Sequence, residues 1–144
     1  MNWKYVKTLK SANLIDEFET IVCYELPKEF KECVLQYNGG RPERKGFDTD
    51  TIKGRELKSF LSFNKEDRET VWKIYEWNKE ELANKYFAFA IDNFGNLICF
   101  DMNDDNVVFL NHEDLSVEHI AKTFAKFLEL LYEWCGLRYY NRRK

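Results

Sequence analysis

Positive charge is what the middle of this chain lacks. Between Tyr86 and Ala121 there is no Lys or Arg, although a third of the protein is charged. The same stretch carries seven acidic residues: Asp92, Asp101, Asp104, Asp105, Glu113, Asp114 and Glu118. The other 108 residues hold all 22 basic and the remaining 18 acidic side chains, so the net charge of −3 hides a part at +4 and a part at −7. Direct nucleic-acid binding wants a basic stripe on a folded face. Here the basic groups are Arg41, Arg44 and Lys45 in a polar segment and Arg138, Arg142, Arg143 and Lys144 at the C-terminus, so no direct nucleic-acid partner is expected.

Other absences remove further classes. Only two histidines are present, His112 and His119, seven residues apart and outside any zincin or nucleophile-elbow pattern. No glycine loop of the phosphate- or dinucleotide-binding kind occurs. Cys23, Cys33, Cys99 and Cys135 form no C-x-x-C pair, and their apolar surroundings predict buried, reduced thiols. No run approaches the roughly 18 apolar residues of a membrane span, and MNWKYVKTLK has no apolar core to make it a leader. These absences predict a soluble, cytoplasmic protein with no catalytic residue, no cofactor and no membrane partner.

Two decoys remain in the acidic stretch. Asp101-Met102-Asn103-Asp104-Asp105-Asn106 starts like a calcium loop, with oxygen ligands at positions 1, 3 and 5. It then offers Asn106 where glycine is needed and His112 where glutamate is needed, so no metal is expected. Asp92, Asp101 and Asp105 could in principle serve a metal-dependent hydrolase, but nothing beside them would position a substrate.

What is present is a strong pattern. The 144 residues fit one domain, 1–137, followed by a basic tail, 138–144, and 24 aromatic residues supply core area and interface material. Asn13 is placed to cap a helix running to about Tyr24. Pro27 opens a second helix carrying Phe30, Cys33, Val34 and Tyr37, which Asn38-Gly39-Gly40 ends. Residues 41–54 read as a surface loop, 56–63 as a strand, and Asn64 as the cap of a helix with Val71, Ile74, Tyr75 and Leu82 on its face. In FAFAIDNFGNLICF, Phe87, Phe89 and Ile91 alternate with Ala88, Ala90 and Asp92, and Asn93-Phe94-Gly95-Asn96 makes a turn. Val107–Leu110 adds a third strand. Ser116 is then expected to cap a long helix with Val117, Ile120, Ala121, Phe124, Leu128, Leu131 and Cys135 as its stripe, stopped by Gly136. Helices, then a sheet, then a helix argue for an α+β domain.

Three ordered segments together resemble the SUKH superfamily, bacterial immunity proteins related to fungal cell-wall synthesis regulators. They are Leu26-Pro27-Lys28-Glu29-Phe30 through Tyr37-Asn38-Gly39-Gly40, the hairpin Phe89-Ala90-Ile91-Asp92-Asn93-Phe94-Gly95 through Phe100-Asp101, and Ile120–Leu128 with Phe124 at its centre. The resemblance implies a central twisted, mostly antiparallel sheet with an N-terminal helix pair and a long C-terminal helix packed on it. It gives Leu26, Pro27, Asn38, Gly39, Gly40, Gly95 and Phe124 a structural role. It also implies a non-enzymatic protein that neutralises a cognate toxin, often a nuclease. The acidic stretch would then face a basic toxin domain, with Asp92, Asp101, Asp104, Asp105, Glu113, Asp114 and Glu118 as the partner-binding set. Asp92 could equally serve its own turn. The alternative is a regulatory or scaffold module of the same fold with no toxin involved.

Overall fold

The hairpin at the centre of the sequence is also the centre of the fold. In the computed structural model, which describes residues 1–134, β6 (Tyr86–Ile91) and β7 (Leu97–Asp101) pair antiparallel, and β8 (Val107–Leu110) and β9 (Val117–Ala121) continue the meander. A short strand, β5 (Ser59–Phe60), adds to the other side of β6, giving a five-stranded sheet in the order β5-β6-β7-β8-β9. Ahead of it lie β1 (Trp3–Lys4), α1 (Asn13–Val22), α2 (Lys28–Tyr37), β2 (Arg41–Pro42), β3 (Gly46–Phe47) and β4 (Arg55–Glu56). Between β5 and β6 come α3 (Val71–Trp77) and α4 (Lys79–Leu82), and α5 (Phe124–Leu130) follows the sheet. The class is α+β.

Both faces of the sheet are covered, so its central strands are apolar along their length instead of alternating. Phe87 to Ile91, Leu97 to Phe100 and Val107 to Leu110 are all buried. Phe30 of α2 is the hub of the core: its ring meets those of Phe63, Phe87, Phe89, Phe100 and Phe124 at 5.2–6.5 Å. The alternation expected of β6 breaks at Phe89. Ala88 pairs with Cys99 and Ala90 with Ile98, so Phe89 is an extra residue, and the shifted register sets Ile91 opposite Leu97.

Asn38 and Gly39 close α2 and tie it to its neighbours. Gly39 has φ +67°, and buried Asn38 donates from Nδ2 to Lys7 O and Ser62 Oγ while its Oδ1 accepts from Phe63 N. Local capping differs from expectation elsewhere. Asn13 is the first helical residue rather than the cap, its N–H donating to Ser11 Oγ. Asn64 caps nothing: it is buried, accepts from Lys10 N and donates to Thr8 O and Asp67 Oδ2, and α3 starts seven residues later under a cap from Thr70. Within 56–63 only Ser59–Phe60 is regular strand beside the end of β4, and the polar 41–54 segment forms β2 and β3 and buries Phe47. Cys23 is exposed at the left-handed end of α1, whereas Cys99 is buried and Cys33 is half-buried.

The largest departure is the closing helix. Residues 117–121 form β9, and α5 spans only Phe124–Leu130, with Thr123 Oγ1 accepting from Lys126 N at 3.0 Å. Ser116 is therefore no helix cap. The free edge of β8 accounts for this, since an unpaired row of backbone groups beside an apolar segment is best satisfied by another strand. After Leu131 the chain extends, and Tyr132 exchanges backbone hydrogen bonds with Gly46 at 2.8 and 2.9 Å. Cys135, Gly136 and the basic tail lie outside the described residues.

Candidate protein-interaction surface

A meander places alternate turns at opposite ends of a sheet, and this divides the acidic stretch. Asp101, Asp104 and Asp105 sit at the β7–β8 turn. Asp92 in the β6–β7 turn, and Glu113 and Asp114 in the β8–β9 turn, sit at the other end, about 15 Å away at the usual rise of a four- to five-residue strand. Glu118 lies within β9.

Short polar side chains build these turns by accepting from their own backbone. At the first end, Asp101 Oδ1 accepts from Asn103 N and Asp104 Oδ1 from Asn106 N, both at 2.9 Å. Asp105 takes a positive φ of 63°, and its Oδ1 accepts from the Tyr24 hydroxyl at 2.5 Å. Burial, the hydrogen bond to Asp105 and the charges of Asp105, Asp101 and Asp104 all push the Tyr24 phenol well above its ordinary value. Burial first, then Asp101, raises Tyr86 as well. Among the described residues none of these three aspartates has an ion-pair partner, so their negative charges are not offset there.

The opposite end is more heavily cross-linked. Asp92 is 7 % exposed; its Oδ1 accepts from Phe94 N and Asn96 N, and its Oδ2 from Asn96 Nδ2, at 2.8–2.9 Å. Asn96 Oδ1 in turn accepts from His112 N, joining the two turns. Gly95 adopts φ +86°, with a position for a Cβ 3.5 Å from the His112 ring. Asp92 is thus turned into its own hairpin and presents little to a partner. Glu113 and Asp114 are exposed and, among the described residues, paired with no cation; the Ser116 hydroxyl and backbone N–H hold the Asp114 carboxyl below its usual value. Glu118 is different again. Burial alone would raise it, but hydrogen bonds from Arg55 at 2.9–3.0 Å and from Thr49 at 2.7 Å outweigh burial and lower it. The Arg55 guanidinium also lies 3.9 Å over the Phe109 ring, so Glu118 serves the fold first.

The sequence reading missed what surrounds Glu113 and Asp114. Phe94 is 75 % exposed, Leu115 51 % and Val117 41 %, all on the two turns of this end or just past them. A groove of about 430 Å³ runs from the 92–95 turn to Ile74 and Trp77, and Trp77 is 70 % exposed. The signal was available: Phe94 is flanked by turn residues that offer a ring nothing to pack on, and Trp77 lies off the apolar face of its helix. Among the described residues no group of three or more His, Cys, Asp or Glu is placed to hold a metal ion, and no helix is long and apolar enough to cross a membrane.

A five-stranded antiparallel sheet packed against short helices, with exposed carboxylates beside exposed aromatic and aliphatic side chains at one end, defines an α+β domain with a mixed acidic and apolar surface. The chain belongs to the SUKH superfamily: the family model described as SMI1-KNR4 cell-wall matches residues 12–128. That superfamily comprises immunity-type and SMI1-KNR4-like proteins, generally non-enzymatic. No curated protein matches the chain.

Proposed function

We propose that this protein is an immunity protein that binds a cognate, basic toxin domain, of the nuclease kind, and occludes it. The observation that carries the reading is the coincidence, at one end of the sheet, of the unpaired carboxylates of Glu113 and Asp114 with exposed Phe94, Leu115 and Val117. Apolar anchors ringed by charge of one sign suit an interface in which the anchors supply affinity and the field supplies speed and selectivity. Asp101, Asp104 and Asp105 add to the same long-range field from the far end. A toxin site shaped for polyanionic nucleic acid offers the complementary charge. Mixing the protein with the toxin domain encoded beside it is expected to give a stable one-to-one complex and to rescue cells expressing that toxin. Absence of both leaves the reading without support, and the same fold serving as a toxin-independent scaffold becomes the better account.

A further inference from the structure

A second groove, of about 250 Å³, lies along β5, at the opposite edge of the sheet from β9. Four strand spacings separate those edges, about 19 Å. Its lining includes Lys7, Arg41, Arg68, Asp67, Glu69 and Ser59. The acids are already engaged: Glu69 pairs with Lys58 at 2.7 Å, and Asp67 Oδ2 accepts from Ser62 Oγ and Asn64 Nδ2. The cations are not. Among the described residues the Arg41 guanidinium meets only the Tyr5 ring, at 5.1 Å, the Lys7 ammonium donates only to the backbone carbonyl of Tyr5, and the Arg68 guanidinium has no partner. With Glu69 neutralised, three cations stand against Asp67 alone, an excess of two positive charges.

Ser59, which lines the same groove, is 4 % exposed, and its Oγ is the only buried side-chain polar atom among the described residues with no hydrogen-bond partner. A buried hydroxyl left unsatisfied costs about 1–3 kcal/mol, so such atoms ordinarily find a protein group or a bound molecule. Two guanidinium forks, an ammonium and a hydroxyl are all donors. They outnumber the two oxygens of a carboxylate and suit a tetrahedral dianion with more oxygens to share.

We propose that this groove is a phosphate site, filled by inorganic phosphate or by the phosphoryl group of a small monoester seated on Ser59 between Arg41 and Arg68. It is independent of the acidic end and of any toxin.

The test is an amide-resolved NMR titration of the full chain with sodium phosphate, glycerol 3-phosphate and sodium acetate at constant ionic strength. Phosphate is expected to shift Gly39, Ser59, Phe60 and Arg68 saturably, with a dissociation constant on the order of 1 mM, and acetate to bind at least about tenfold more weakly. A monoester that binds as well as phosphate identifies a phosphoryl group on a larger ligand as the occupant; a monoester that fails identifies the free ion. Arg68→Gln, at an exposed position, is expected to weaken phosphate about tenfold, the loss of one charge-assisted hydrogen bond. Lys85→Gln, distant from the groove, leaves it unchanged. Ser59→Ala separates a ligand contact from a merely tolerated orphan: without phosphate it folds as stably as the wild type or more so, and with phosphate it gains less thermal stabilisation. Shifts that stay linear to about 50 mM, acetate binding equal to phosphate, or unchanged affinity in both Arg68→Gln and Ser59→Ala overturn the proposal.

Discussion

Asp92 shows how one side chain can carry charge and still belong to the fold. Its two oxygens take three hydrogen bonds inside the hairpin turn, and Asn96 passes the connection on to His112. Replacing Asp92 with alanine strands two backbone N–H groups and the Asn96 amide, and is expected to destabilise the protein by about 3 kcal/mol. Asp92→Asn, which keeps the Oδ1 acceptor, should cost about 1 kcal/mol. Urea unfolding measures both, as a fall in midpoint at unchanged slope; equal stability of Asp92→Ala and wild type would contradict the assignment. On sequence alone turn and partner roles weigh evenly for this residue, because an Asx turn and a surface carboxylate look alike until the Asn96 amide is seen to point back. Phe94 was legible in the same four residues. A phenylalanine between Asn93 and Gly95 has turn backbone on both sides and no strand neighbour to pack on.

At the scale of elements, the central hairpin, the third strand and the helix pair could be read from apolar periodicity, and the closing segment could not. Val117, Ile120 and Ala121 satisfy a helical spacing, but they also abut a strand with a free edge, and that tertiary demand decides the matter. The polar 41–54 segment has no period and reads as surface loop on sequence alone. With Arg55 it covers the outer edge of β9: Asp50 N donates to His119 O, His119 N to Asp50 Oδ1, and Arg55 and Thr49 both reach Glu118. Such pairing across distant sequence leaves no local signature. Glu118→Gln should leave the half-buried Arg55 without its counter-charge and cost about 1–2 kcal/mol at neutral pH, discounted for the partial exposure of both partners. Because Glu118 titrates lower in the folded than in the unfolded chain, the stability it adds is present above its ordinary pKa of 4.5 and is lost as pH falls below that value. Guanidinium unfolding of both proteins from pH 6 to pH 3 should therefore show the gap between them closing on acidification. A gap that stays constant would remove Glu118 from the pH-dependent stability.

For the whole molecule, the acidic stretch that dominates the sequence becomes two clusters and two structural carboxylates. Asp101, Asp104 and Asp105 are gathered at one end with Tyr24 and Tyr86, Glu113 and Asp114 face solvent at the other beside Phe94, and Asp92 and Glu118 are engaged within the fold. The charge was legible from composition; its division depends on strand direction, which follows once the meander is recognised. The central claim is that the end carrying Phe94 meets the partner and that the other cluster acts only through its field. Stopped-flow association of the cognate toxin domain with Glu113→Lys/Asp114→Lys and with Asp104→Lys/Asp105→Lys, each across a series of salt concentrations, tests it most directly. Both double variants should associate more slowly and with a flatter salt dependence. Only the first should also dissociate faster, by about tenfold or more, because its charges lie at the contact. Faster dissociation of Asp104→Lys/Asp105→Lys, with Glu113→Lys/Asp114→Lys unchanged, would place the interface at the opposite end of the sheet and contradict the account.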